Sequence, residues 1–162
     1  MTRTRLGTDE KSGRGLYVAF CAEPAAVLAL EFPQGQFVCL LAWDAQGLEV
    51  GLVSELARHL MQHGCVYICC WGPDCERVHD IFDETDTELH PESEAVVMST
   101  WHSNEPLADA IWFALNSASP DTAHENNCAS VVGMAIGDDG WAAQMGQAFA
   151  DPAGFNKGVL AE

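Results

Sequence analysis

Four short segments limit the fold more than anything else in the chain: FVCLLAW (Phe37 to Trp43), VYICCW (Val66 to Trp71), AVVMSTW (Ala95 to Trp101) and ASVVGMAIG (Ala129 to Gly137). Each is a continuous apolar run rich in β-branched residues. None alternates polar with apolar. A strand with one solvated face alternates, so unbroken runs of this length fit strands covered on both faces, as in a parallel sheet.

A helical pattern follows each run. Val50, Val53, Leu56, Ala57, Leu60 and Met61 recur at three- and four-residue spacing, and Gly64 suits the C-terminal cap. Cys75, Val78, Ile81 and Phe82 form a second face, with Pro73 suited to a first helical position. Leu107, Ala110, Ile111, Ala114 and Leu115 form a third, and Trp141, Ala142, Met145 and Phe149 a fourth. Strands alternating with helices imply βαβ units. The expected fold is a three-layer α/β domain, Rossmann-like or flavodoxin-like, with at least four mainly parallel strands. LYVAF (Leu16 to Phe20) reads as an extra edge strand, and a short helix is expected from Pro24. Residues 1–15 read as a solvated tail, 16–151 as one domain, and 152–162 as a tail with weak helix. The cations of the first fifteen residues have no apolar stretch behind them, so no signal peptide is expected there.

Charge narrows the partners. The formal net charge is −17, and between Leu16 and Asn156 the only cations are Arg58 and Arg77, against 21 acids. Nucleic acid is held through its phosphates by Lys and Arg, so this chain is not expected to bind it. Anionic membrane is excluded for the same reason. Nine acids fall between Asp74 and Glu94, a surface suited to a basic protein partner. Homo-oligomerisation is left open. Seven cysteines lie mostly inside apolar segments rather than in regularly spaced loops. They read as buried, reduced thiols of a cytoplasmic protein.

Each core strand ends at or near a tryptophan: Trp43, Trp71, Trp101 and, past a GDDG turn, Trp141. In a parallel sheet these ends share one edge, and open α/β sheets bind ligands outside the carboxyl ends of their strands. Asp44, Trp71, Trp101, Asn104, Glu105, Asp138 and Asp139 are therefore the candidate ligand-binding residues, with Cys75, His79 and His102 as candidate catalytic groups.

The chemistry of these residues is open. Cys75 would sit in the first turn of a helix, where thiol pKa values fall, with His79 one turn on as a base. Asp74, Glu76 and Asp80 oppose that, and Cys75 lies on the apolar face of its helix, where packing explains it. His102 and Glu105 suit an acid/base pair, and the surrounding Ser103 and Asn104 equally suit helix capping. Cys70, Cys75, His79 and His102 are the nearest approach to a zinc set, without the paired CxxC spacing that makes one specific. His59 and His63 are also one turn apart, at a helix C-terminus. Asp44, Asp138 and Asp139 could offer oxygen ligands to a hard cation. Neither GxGxxG nor GxxxxGK[ST] is present, so no cofactor is expected.

CWGPDCERVHDIFDE and STWHSNEPLADAIWFALN resemble small bacterial Rossmann-like domains of unknown function, over about half the chain. The resemblance implies no activity and no residue roles. The first expectation for function is a non-catalytic acidic accessory domain that binds a protein partner. The second, from a different class, is a small-molecule-binding domain or enzyme working at the tryptophan-lined edge.

Overall fold

The unbroken apolar runs become the centre of a six-stranded sheet. The computed structural model describes residues 4–161. In chain order the elements are β1 (Thr4–Thr8), β2 (Gly15–Cys21), a 3-10 turn (Pro24–Ala29), β3 (Gln36–Trp43), α1 (Val50–Gln62), β4 (Cys65–Trp71), α2 (Cys75–Leu89), β5 (Met98–His102), α3 (Leu107–Asn116), β6 (Cys128–Ile136), α4 (Asp139–Ala150) and α5 (Pro152–Ala161). The strands lie in the order β1-β2-β6-β3-β4-β5. All neighbours are parallel except β1 and β2.

Strand parity builds two cores from one sequence. On β3, Cys39, Leu41 and Trp43 join Ile68 and Cys70 of β4 beneath Leu56, Leu60, Val78 and Phe82 of α1 and α2. The intervening Val38, Leu40 and Ala42 join Cys69 beneath Ile111 and Leu115 of α3 and Phe149 of α4. Both faces of β3 and β6 are thus covered, which is why neither alternates. This is a three-layer, Rossmann-like α/β arrangement.

Local details differ from the sequence expectations at the margins. β2 is not an edge strand. It lies between β6 and β1, and β1 comes from the segment read as a tail. Residues 152–161, also read as a tail, form α5, tied to α3 by the Asn116–Asn156 side-chain pair at 3.0 Å. β5 is shorter than AVVMSTW, because residues 95–97 leave the sheet. The Val97 N–H donates to Asp86 and the Val96 N–H to Asp121, so side chains take the place of a neighbouring strand. β5 is also not covered on both faces: it is the outer strand, with Met98 37% and Trp101 44% exposed. Gly64 lies just past α1 at φ +111°, as its capping role requires. Pro73 falls short of its expected place, since α2 begins only at Cys75, after Asp74.

Candidate functional site

Two turns at the carboxyl edge of the sheet make the site. β4 ends at Trp71, and Gly72 carries the chain across the end of β3 with φ +117°. Asp74 then takes a left-handed conformation (φ 66°) and α2 starts, with no side chain capping its N-terminus. β5 ends at His102, Asn104 is also left-handed (φ 60°), and Pro106 precedes α3. Asp and Asn tolerate this region better than other side chains, yet strain remains. Asn104→Ala is expected to lose about 1 kcal/mol while Asn104→Gly does not. Urea unfolding of the two variants checks this.

Between these turns lies a cleft of about 530 Å³, lined by residues 71–76 and 102–105. Its polar centre is His102, only 8% exposed. Imidazole Nδ1 lies 2.7 Å from Glu105 Oε1, and Nε2 lies 2.8 Å from Thr100 Oγ1. A carboxylate only accepts, so Nδ1 carries the proton. In the neutral ring Nε2 then accepts from the Thr100 hydroxyl. The ring rests on Phe113 of α3 with centroids 4.8 Å apart. Trp71 donates its indole N–H to the Glu105 carbonyl at 2.9 Å and meets Trp141 edge-on at 5.3 Å. The two turns are thereby tied to each other and to α4.

The carboxyl-edge expectation brings five of the ten candidates together: Trp71, Cys75, His102, Asn104 and Glu105. Cys75 is 2% exposed, and burial raises its thiol pKa against the pull of nearby backbone N–H groups, His102's first among them. It is a protonated thiol at neutral pH. The other five lie elsewhere. His79 and Trp101 pack on each other at 4.6 Å on the α2 side of β5. Asp138 caps α4, accepting from Gly140 and Trp141. Asp44 accepts from the Gln46 N–H within its own turn, and Asp139 is exposed in the first turn of α4.

Strand order reverses between β3 and β6, where Asp44 and Asp138 sit, but the cleft opens two strands away. Gly72 passes directly over the end of β3. Sequence reasoning missed Thr100. The signal was present, since residues two apart on a strand share a face.

Among the described residues no three His, Cys, Asp or Glu side chains converge on a point suited to a metal ion. Cys70 is buried in the α1/α2 core. His59 and His63 rings meet at a tilt with centroids 4.2 Å apart, His63 Nδ1 is bonded to the His59 carbonyl, and burial lowers the His59 pKa. No described helix is long and apolar enough to cross a membrane.

Fold and cleft together define a Rossmann-like α/β domain with a polar site at the ends of two adjacent parallel strands. The chain belongs to a family described as a domain of unknown function (DUF7684), whose model matches residues 17–152. Comparison with curated proteins finds no match.

Proposed function

We propose that this domain binds a small polar molecule in the cleft between the ends of β4 and β5, with Glu105, oriented by His102, as the group that engages it. The observation that carries this reading is the His102–Glu105 pair at the cleft, held at 2.7 Å with the imidazole 8% and the carboxylate side chain 30% exposed. A part-exposed carboxylate held in place by an imidazole is a recognition group for hydrogen-bond donors and cations. The volume falls within the range of small-molecule pockets.

The lining also points to a ligand class. It holds Asp74, Glu76 and Glu105 and neither Lys nor Arg. Ligands rich in hydrogen-bond donors or carrying positive charge fit, and anions do not. Small amines and neutral polyols are the probes of choice, with phosphate and dicarboxylates as controls. A binder should move the His102 ring resonances in NMR. Glu105→Gln, which removes the carboxylate charge from the cleft, should weaken amine binding about tenfold, the loss of one charge-assisted hydrogen bond. If millimolar amines and polyols leave His102 unperturbed, the reading is wrong.

The acidic segment 74–94 shares Asp74 and Glu76 with the cleft and runs on along α2, and it supports the partner-binding expectation.

A further inference from the structure

We infer that the outer edge of β5 receives an extended, arginine- or lysine-bearing segment of another protein as an added strand. Among the described residues β5 is the last strand of the sheet and pairs only with β4, so one row of its backbone groups has no strand partner there. Proteins protect such edges or use them to bind extended segments. Here the strand itself carries no charge along its edge: Met98 and Trp101 stand exposed on it, with Val96 exposed just before it.

The α2 side of this edge tells what chemistry fits. Trp101 is 44% exposed and packs on His79. His79 in turn lies between two carboxylates, 2.9 Å from Asp80 and 3.5 Å from Asp83. Those side chains are 65% and 51% exposed, and Asp83 also accepts from the Ser99 hydroxyl of β5. An indole face beside two carboxylates recognises a guanidinium or ammonium group through cation–π attraction and ion pairing. Ser99 and Trp101 face α2, and Met98 faces the other way. The matching segment therefore alternates cationic with apolar residues.

A second copy of this chain also offers an open edge, β1, which carries Arg5. The net charge of −17 on each copy opposes that pairing, so another protein is the better occupant.

The probe is a fluorescein-labelled peptide of alternating Arg and Val, followed by anisotropy at physiological salt. Trp101→Ala and the pair Asp80→Asn/Asp83→Asn are each expected to weaken binding about tenfold. The remote pair Glu10→Gln/Glu23→Gln, beside β1 and β2 at the far side of the sheet and of equal charge change, should leave it within about twofold. Methylating alternate peptide amides on the pairing side should abolish it. Equal weakening by the remote pair, or undiminished binding of the methylated peptides, would overturn the inference. So would concentration-dependent self-association that Trp101→Ala removes. Because Glu105 plays no part at this edge, Glu105→Gln separates failure here from failure of the cleft reading.

Discussion

Gly72→Ala is expected to destabilise the domain by about 3 kcal/mol or more, combining backbone strain with a clash that side-chain motion cannot relieve. An added Cβ would stand 2.3 Å from the Trp43 carbonyl oxygen, and φ is +117°. That oxygen belongs to the backbone of a central strand buried on both faces, so β3 cannot give way. The turn must lift instead, and its Pro73 carbonyl would then lose the Ala45 N–H, now at 3.2 Å. Trp71 precedes Gly72 and the Cys75 N–H donates to its carbonyl at 3.1 Å, so the cleft wall would move too. Gly47→Ala is the control. Its φ is +73°, but an added Cβ meets nothing within 4 Å. It should lose only the left-handed penalty, about 1 kcal/mol. Urea denaturation of both variants measures the difference, and a Gly72→Ala loss no larger than that of Gly47→Ala would refute the close-approach argument.

The layers were legible because burial on both faces leaves a mark that partial burial does not. FVCLLAW and VYICCW are apolar at every position since α1 and α2 cover one parity and α3 and α4 the other. β1 left no such mark. It is short, polar and exposed, and only pairing with β2 makes it a strand, which composition cannot report. AVVMSTW misled for the opposite reason: its first three residues are apolar but bond to Asp86 and Asp121 rather than to a strand.

The site was half legible for a similar reason. Parallel strands bring their carboxyl ends to one edge, so His102 and Glu105 could be placed with Trp71 and Cys75. Strand order is not written locally, so nothing showed that Asp44 and Asp138 would end up at a different pair of strands. Parity separates Trp101 from its neighbour His102. The rule that sends Cys69 and Cys70 to opposite cores also sends the indole to the α2 side and the imidazole to the α3 side.

Stability should fall steeply above pH 9, because the strands are built around thiols. Cys39, Cys65, Cys69 and Cys70 are at most 2% exposed. Burial raises each thiol pKa above the usual value near 9, that of Cys69 to about 12. As pH rises past 9 the unfolded chain releases these protons and the folded chain keeps them. The unfolded state then binds fewer protons, and the stability of the fold declines with pH. Each thiol costs about 1.4 kcal/mol per pH unit in this window. At pH 10 the four together remove roughly 5 kcal/mol, comparable to the whole stability of many domains. Tyr67, raised by burial to about 12, adds to the decline above pH 10. Urea unfolding under reducing conditions at pH 7.5, 9 and 10 should show the midpoint falling progressively. Cys70→Ala lowers stability at every pH by leaving a cavity, but its decline with pH should be shallower by one proton. A midpoint unchanged from pH 7.5 to pH 10 would mean that these thiols reach solvent in the folded protein.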